Sequence, residues 1–413
     1  MMLDGTFQRS PGAATSSART ATSVRFEALD SWRGICALLV ALFHFPANSE
    51  LSQSRFIVHS YLFVDFFFVL SGFVIAASYA GKLRNPGDGV KFAAIRLGRV
   101  YPLHAAVLAA FVALELMRLM LSQPREGRAA PFTEPFDLES LPANLLLIQS
   151  MGVLDRLAWN GPSWSISAEI FTYLSFAVAM ALFDSRAWIA LAGATLLAPL
   201  ALYFFGASNM DLSYDWGFVR CIAGFSLGAL IAQIQHQAIV ARRSQPRDAV
   251  DGFIWSAIEI AMVFAIVIFV VTTGDIPASI AAPFVFGLAI YLFAHERGVV
   301  SAILRKRLFL LLGALSYSIY MVHVFVQTLM YSAASIVDRK LNLGILGNVV
   351  HHAKITIGFG PSSQPIALAA TAIMLVAVVI AAYFTWRFIE MPALSWTKRK
   401  VASIAARDPT FAS

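Results

Sequence analysis

Long apolar segments recur along nearly the whole chain, and they restrict the fold more than any other feature of the sequence. A helix needs about 20 predominantly apolar residues to cross the hydrocarbon core of a bilayer. We place ten helices, at residues 31–46, 61–80, 95–121, 163–183, 187–205, 216–233, 252–272, 278–294, 309–337 and 364–389. Since 58% of the residues are hydrophobic and only 13% are charged, the sequence predicts an all-α polytopic membrane protein with about ten transmembrane helices.

Lysine and arginine residues are distributed unevenly between the two sides of the predicted helices. With a cytoplasmic N-terminus, twenty of the 31 lie on the inner side, seven lie on the outer side and four lie within or at the ends of helices. Cytoplasmic loops of membrane proteins carry such an excess of positive charge. We therefore predict that both termini are cytoplasmic, and we attribute the net charge of +7 to orientation rather than to nucleic acid binding.

The chain divides into a membrane domain with a polar segment at each end. Residues 1–24 are small and polar, which predicts a disordered cytoplasmic tail rather than a signal peptide. Residues 25–392 form the membrane domain, and residues 393–413 form a basic cytoplasmic tail suited to anionic lipid head groups. The outer loops 122–162 and 338–363 are long, which suits either a lid and acceptor surface or simple spacers. Within the first loop, residues 141–151 are predicted to form a short helix.

Cysteine and histidine residues do not follow the patterns of disulfide or metal sites. Cys36 and Cys221 both lie within apolar segments, so a disulfide framework is not expected. The eight histidines are scattered without metal-ligand spacing, and no nucleotide-binding glycine pattern is present. We therefore expect no metal cofactor and no pumping driven by ATP.

The first predicted helix carries Arg33 and His44 at the two ends of an apolar run, with Asp30 just before it. Ten residues separate Arg33 from His44, which places both on one helix face about 16.5 Å apart along the axis. Ionisable residues inside a membrane face the protein interior and commonly mark function. The alternative is an arginine that reaches the membrane surface and a histidine that only ends the helix.

Arg96 and Arg99 lie three residues apart, and hence on one face, where we place the start of the third helix. A helix N-terminus favours anions, and each guanidinium can bind phosphate oxygens in a bidentate manner. The pair therefore predicts a site for a phosphate-rich ligand on the cytoplasmic side. Contact with lipid phosphates is the alternative.

Two carboxylates lie within apolar sequence. Asp65, near the outer end of the second helix, is expected to pair with His44 or with an arginine, or else to lie exposed at the membrane interface. Glu169 lies in the sequence PSWSISAEIF, below the predicted head-group level, where an unpaired carboxylate is costly. We therefore assign Glu169 a role in the site or in its support.

Two further groups of polar residues lie on the last two predicted helices. Ser316, Tyr320 and His323 share one face of the ninth helix, beside Tyr317, and they line a site or form interhelical hydrogen bonds. Near the end of the tenth helix, we expect Arg387 and Glu390 to form a local ion pair of structural importance only.

Several of these stretches together resemble one family. LDSWRGICALLVALFHF, FVDFFFVLSGFVI, AIRLGRVYPLH, PSWSISAEIFTYL, LGALSYSIYMVH and RFIEMP occur in the order and spacing typical of the membrane acyltransferase-3 family. Members of this family O-acylate bacterial cell-surface and secreted glycans and some other acceptors. The family's basic residue followed by ten residues and a histidine matches Arg33 and His44, and its arginine pair matches Arg96 and Arg99.

The resemblance implies an enzyme of the bacterial inner membrane that takes an acyl group, usually acetyl, from cytoplasmic acyl-CoA. We expect the CoA phosphates near Arg96 and Arg99, with Arg33 assisting, and an acceptor glycan reached from the outer side. A transporter or flippase that moves a glycan or an acylated metabolite without chemistry is the alternative, because intramembrane charges also build transport pathways.

For the chemistry, the resemblance and the residues together favour His44. His44 acts either as a general base on the acceptor hydroxyl or as a nucleophile that forms an acyl-histidine intermediate. We expect Glu169, or less readily Asp65, to orient its imidazole or to accept the proton. The expected lining of the substrate path is Ser316, Tyr317 and His323.

Overall fold

The computed structural model describes residues 25–79, 82–83, 86–121, 130–183, 186–206 and 208–407. Within these ranges, eight helices are long and apolar enough to cross a membrane. They are Ser60–Tyr79, Gly87–Leu121, Gly161–Phe183, Ala187–Phe205, Gly217–Arg243, Ala249–Thr273, Arg307–Leu341 and Gln364–Ile404. The other two predicted segments form shorter helices, Glu27–Phe43 and Pro277–Phe293. The polytopic all-α fold is therefore confirmed.

The elements of the described chain are numbered here in order. The helices are α1 Glu27–Phe43, α2 Glu50–Gln53, α3 Arg55–Val58, α4 Phe63–Tyr79, α5 Pro86–Leu121, α6 Leu141–Leu145, α7 Trp164–Phe183, α8 Ala187–Phe205, α9 Gly217–Arg243, α10 Ala249–Thr273, α11 Ala282–Phe293, α12 Val299–Leu304, α13 Arg307–Leu341, α14 Gln364–Thr385 and α15 Met391–Arg407. A π-helical turn, Trp386–Glu390, joins α14 to α15. Two strands, β1 Leu346–His351 and β2 Lys354–Phe359, pair antiparallel.

Burial separates a central helix from peripheral ones. In the most apolar 18-residue stretch of the helix that contains α4, 78% of the residues are buried, whereas in the equivalent stretches of α8 and α10 only 22% are buried. The exposed side chains of these two helices include Phe205 and Phe264. Large apolar side chains that point away from the protein are suited to lipid, so α8 and α10 form the lipid-facing side of the bundle.

Helices α1 and α13 run parallel in close contact, and this packing positions the site. The two helices touch at Gly34 of α1 and Gly313 of α13. A Cβ atom on Gly34 would overlap the backbone of α13, and a Cβ atom on Gly313 would overlap the backbone of α1. His44 follows Gly34 by ten positions, and His323 follows Gly313 by ten positions. Because both helices rise equally per residue, this register brings His44 beside His323.

The first helix begins at Glu27, four residues before the predicted start. The Glu296 carboxylate accepts a hydrogen bond from the backbone N–H of Ala28 (2.9 Å) and another from Arg243. A carboxylate at this position satisfies one of the free N–H groups of the first helical turn. Asp30, which was predicted just before the helix, consequently lies inside it.

The second of the two long loops predicted to lie outside, residues 338–363, contains the β-hairpin, which the sequence pattern did not predict. Its two-residue turn consists of His352 and Ala353, which both have positive φ (48° and 58°), as type I′ turns require. The hairpin docks on the segment after α1: Phe359 donates to Pro46 O, and Asn48 donates to Phe359 O, both at 2.9 Å. In the first outer loop, the predicted helix 141–151 is limited to the five residues of α6.

Candidate active site

A cavity lies among α1, α4, α5, α7 and α13. Three guanidinium groups line it, those of Arg33, Arg96 and Arg99, together with one carboxylate, that of Glu169. Sequence-predicted residues from three different helices therefore meet around one space. Its lining carries more positive than negative charge.

The three arginines have few partners among the residues that the structure describes. None of them donates a hydrogen bond to a described residue, and the nearest carboxylate oxygen to Arg33 is Asp30 Oδ1 at 3.9 Å. The Nε atom of Arg96 is buried and has no hydrogen-bond partner in this part of the chain. Buried donors are normally satisfied, so this cavity is suited to an anionic ligand that supplies the missing acceptors.

Arg96 is held by aromatic rings rather than by a helix end. Its guanidinium lies 5.3, 5.5 and 5.8 Å from the ring centroids of Tyr79, Phe92 and Tyr173. The expectation that the arginine pair sits at a helix N-terminus is wrong, since α5 begins at Pro86. At 1.5 Å per residue, the free N–H groups of α5 are about 15 Å from Arg96. The arginines, not the helix dipole, provide the positive charge here.

Glu169 lies in this cavity and not beside His44. Its Oε1 atom accepts hydrogen bonds from the hydroxyl groups of Ser71 and Tyr173. Gly72 allows close packing of α4, since a Cβ there would overlap the backbone of α9 at Phe225. Glu169 thus lines the same cavity as the three arginines, and among the described residues it forms no direct contact that orients the imidazole of His44.

A second cavity continues from the first, since both are lined by Arg33, Ser71, Glu169 and Tyr317. Its apolar lining consists of Val64, Phe67, Phe68 and Ile166. Ser316 and Tyr320 also line it, and the buried hydroxyl of Ser316 has no hydrogen-bond partner in the described chain. Ser316 and Tyr317, which were predicted to line a substrate path, thus both line this cavity.

His44 and His323 meet beyond the far end of the second cavity. The ring of Tyr320, which lines that cavity, lies 5.9 Å from the ring of His323. Nε2 of His323 lies 3.3 Å from Nδ1 of His44, which also lies 2.9 Å from the carbonyl oxygen of Val40. His323, predicted only as path lining, is therefore the side chain in contact with the predicted catalytic imidazole.

The hairpin brings two more histidines to this end of α1. Nε2 of His352 lies 2.9 Å from Phe43 O, and the His352 ring lies 4.1 Å from the Phe43 ring. Burial, with smaller contributions from the neighbouring His352 and His44, lowers the pKa of His351 to about 3. Among the described residues, no group of three or more His, Cys, Asp or Glu side chains is arranged to hold a metal ion.

Asp65 forms a buried ion pair with Arg220 of α9 and does not contact His44. Arg220 Nε lies 3.0 Å from one carboxylate oxygen of Asp65, and Nη2 lies 2.7 Å from the other. Arg220 also donates to the carbonyl oxygens of Leu212 and Tyr61. Of the two partners expected for Asp65, the structure forms the arginine pair, which joins α4 to α9.

The expectation of a local Arg387–Glu390 ion pair is wrong. The Glu390 side chain is buried and accepts a hydrogen bond from Ser318 at 2.9 Å. It faces α13 and lies within electrostatic range of Arg99 and Arg33. The π-helical turn at Trp386–Glu390 shifts the residue register there, so spacing along an α-helix did not predict this orientation.

Comparison with known proteins agrees with this architecture. A family model described as "Acyltransferase domain", that of the acyltransferase-3 family, matches residues 26–389. "Protein 2 in picA locus" from Rhizobium radiobacter is 38% identical over 35% of this chain and 78% of its own length. "Acyltransferase MdmB" from Streptomyces mycarofaciens is 27% identical over 73% of this chain and 79% of its own length. No solved structure matches the chain.

Proposed function

The chain belongs to the acyltransferase-3 family and is a multi-pass membrane acyltransferase that transfers groups other than aminoacyl groups, and from this premise we propose its reaction. It is an O-acyltransferase of the bacterial inner membrane that transfers an acyl group, most simply acetyl, from acyl-CoA to a hydroxyl group of a cell-envelope glycan. The observation that carries this proposal is the arginine-lined cavity, which joins a second cavity lined by Tyr320. The ring of Tyr320 lies 5.9 Å from that of His323, the side chain in contact with His44.

The donor enters from the cytoplasmic side. The phosphates of acyl-CoA bind Arg96 and Arg99, with Arg33 deeper in the same cavity, because guanidinium groups bind phosphate oxygens in a bidentate manner. The pantetheine arm then extends through the second cavity, past Ser316 and Tyr317. The distance of about 16.5 Å between Arg33 and His44 along α1 is a span suited to such an extended arm.

His44 acts on the acceptor hydroxyl near the outer end of α1. Neutral imidazole is suited to removing a proton near pH 7. The hydroxyl proton moves to His44, the hydroxyl oxygen bonds to the thioester carbonyl carbon, and the C–S bond breaks. The imidazolium then returns the proton to the departing thiolate, which leaves CoA–SH and an O-acyl ester.

A covalent route uses the same residue. His44 attacks the thioester carbonyl carbon, the C–S bond breaks and CoA leaves as the thiolate. The acceptor hydroxyl oxygen then bonds to the acyl carbon, the bond between that carbon and the imidazole nitrogen breaks, and the proton lost by the hydroxyl balances the one taken up by the thiolate. This route does not require the donor and the acceptor to be bound at the same time. The docked hairpin, which covers the segment after His44, forms part of the acceptor surface in both routes.

A single-turnover experiment tests the proposal. The detergent-purified protein is incubated with radiolabelled acetyl-CoA, and both CoA release and label on the protein are followed. His44→Ala is compared with wild type and with His295→Ala. His295 bonds to Tyr291 O and stacks on Trp255 away from the cavities, which makes it a matched control.

The outcomes separate an enzyme from a transporter. CoA release that requires His44 but not His295 supports acyl transfer, and label retained on the protein favours the acyl-histidine route. If CoA binds without turnover, addition of hydroxyl-bearing glycan acceptors must start the release. A protein that neither binds nor consumes any acyl-CoA contradicts the proposal and favours a transporter of glycans or acylated metabolites.

A further inference from the structure

His323 is the side chain in contact with the imidazole of His44, and this contact has a chemical consequence. We propose that His323 is a positioning residue that holds His44 in the tautomer with its proton on Nδ1 and a free electron pair on Nε2. This inference rests on the proposed function and deepens it. It names the reacting nitrogen of His44 and the residue that selects it.

Three contacts define the pair. Nδ1 of His44 lies 2.9 Å from Val40 O and 3.3 Å from Nε2 of His323. Nδ1 of His323 lies 3.3 Å from Ile319 O, one helical turn back on α13. Each histidine therefore has its Nδ1 atom near a backbone carbonyl of its own helix. Carbonyl oxygens only accept hydrogen bonds, so each Nδ1 atom carries the proton.

One tautomer of each neutral ring satisfies all three contacts. With its proton on Nδ1, His323 has an electron pair on Nε2, which accepts a hydrogen bond from the Nδ1–H of His44. His44 shares that N–H between His323 and Val40 O. In the reverse arrangement, the unprotonated Nδ1 atoms would face carbonyl oxygens, placing electron pairs opposite electron pairs. The reverse tautomers are therefore disfavoured in this geometry.

The remaining nitrogen of His44 is left available. No residue in the described part of the chain forms a hydrogen bond to Nε2 of His44, whereas Nδ1 has two partners. Nε2 therefore carries the electron pair that removes the acceptor proton or attacks the thioester. A base or nucleophile needs this pre-selected form, as in other sites where a second group orients a catalytic histidine.

The position of His323 is set by packing. His323 is fully buried, and the close approach of α1 and α13 at Gly34 and Gly313 fixes the register between the helices. The side chain of Gln327, one turn further along α13, donates to Ala41 O at 2.8 Å. A close packing contact and a hydrogen bond therefore hold the two helices together near the imidazole pair.

The tautomer can be measured without any substrate. Ring-¹⁵N-labelled protein in detergent gives separate nitrogen signals for protonated and unprotonated positions, and the His44 signals are those missing from His44→Gln. We expect a protonated Nδ1 and an unprotonated Nε2 in wild type. In His323→Leu, we expect a mixture of both tautomers. A wild-type His44 that carries its proton on Nε2 overturns the inference, whether or not the protein consumes acyl-CoA.

Kinetics test the consequence for catalysis. We expect His323→Leu to lower kcat roughly 10- to 100-fold, the range in which outer partners of functional histidines act, with unchanged KM for acyl-CoA. His323→Gln keeps an acceptor oxygen near the Nε2 position and should recover most of the rate. His295→Gln, which alters the same type of contact to a backbone carbonyl, should match wild type.

The outcomes distinguish positioning from packing. Equal kcat in His323→Leu and wild type overturns the inference, and so does a His323→Gln variant as slow as His323→Leu although both bind acyl-CoA normally. If His323→Leu does not fold, the wild-type nitrogen signals and the rate of His323→Gln distinguish positioning from packing. If no acyl-CoA is consumed by any variant, the proposed function fails, while the nitrogen signals still decide the tautomer.

Discussion

Replacing Arg99 by glutamine removes one of the three guanidinium groups that line the first cavity. Arg99 donates no hydrogen bond to any residue that the structure describes, and it shares the cavity with Arg33 and Arg96. Its removal therefore breaks no internal ion pair within the described chain. It relieves repulsion from the other two arginines and weakens the attraction to the buried carboxylate of Glu390. We expect Arg99→Gln to fold, with its main defect in binding the ligand.

The expected magnitude is that of one hydrogen bond between a guanidinium and a phosphate. A hydrogen bond to a charged group contributes about 1.5–3 kcal/mol, and each 1.4 kcal/mol is about a tenfold change in an equilibrium constant. We therefore expect the Kd for CoA to rise roughly 10- to 150-fold. Arg96→Gln should weaken binding similarly, but it also removes the cation from three aromatic rings, each interaction being about 0.5–1 kcal/mol at exposed sites, and should lower stability as well.

Isothermal titration of the purified protein with CoA measures the effect. Acetyl-pantetheine, which lacks the phosphates, is the matched ligand control and should bind wild type and Arg99→Gln alike. Arg339→Gln is the control variant, because Arg339 bonds to Ser335 O near the end of α13, away from the cavity. Unchanged CoA affinity in Arg99→Gln, or an equal weakening for acetyl-pantetheine, would refute phosphate binding at Arg99.

Three more variants test other parts of the structure. Glu169→Gln should lower kcat at least tenfold with folding retained, because Glu169 lines both cavities of the proposed donor path (about 1.4 kcal/mol of the barrier). Loss of the folded protein in detergent would instead indicate a structural role. Arg220→Ala should destabilise the protein by about 3–5 kcal/mol, since it leaves buried Asp65 unpaired; denaturation in detergent measures this, and Asp65→Asn in the same chain should recover part of it. The pKa of His351 is lowered to about 3 in the folded protein, so the unfolded state binds more protons between about pH 6.5 and 3 and stability falls as pH falls through that window. His351→Gln should reduce this dependence, measured by proteolysis of the hairpin, and an identical pH profile in the variant would contradict it.

The sequence was sufficient to predict the presence of the helices but not where each of them begins and ends. Each of the ten predicted apolar segments is helical, because apolar length alone requires a hydrogen-bonded helix in lipid. Helix α1 starts at Glu27 rather than at the predicted residue 31, because Glu296, from a distant loop, accepts a hydrogen bond from the Ala28 N–H. The start of α5 at Pro86 likewise separated the arginine pair from the helix end where it was expected.

Sequence spacing predicted which site residues share a face of one helix, whereas tertiary packing determined which residues of other helices they contact. Arg96 and Arg99 share a face by their spacing, and they meet Arg33 in one cavity. No spacing could show that Glu169 bonds Ser71 and Tyr173, or that Asp65 pairs with Arg220 rather than with His44. Each of those partners lies on another helix or depends on how neighbouring helices are rotated.

The sequence by itself determined that this chain is a helical membrane protein, which family its motifs resemble, and which charged residues enter the bundle. These properties depend on hydrophobic length, on charge and on separations of a few residues along one helix. Only the tertiary structure decided that His323 contacts His44 and that a hairpin covers the segment after it. The contact depends on the register of α1 against α13, and the close approach at Gly34 and Gly313 sets that register. Nearly 280 residues of chain lie between these two glycines, so no local sequence pattern could show it.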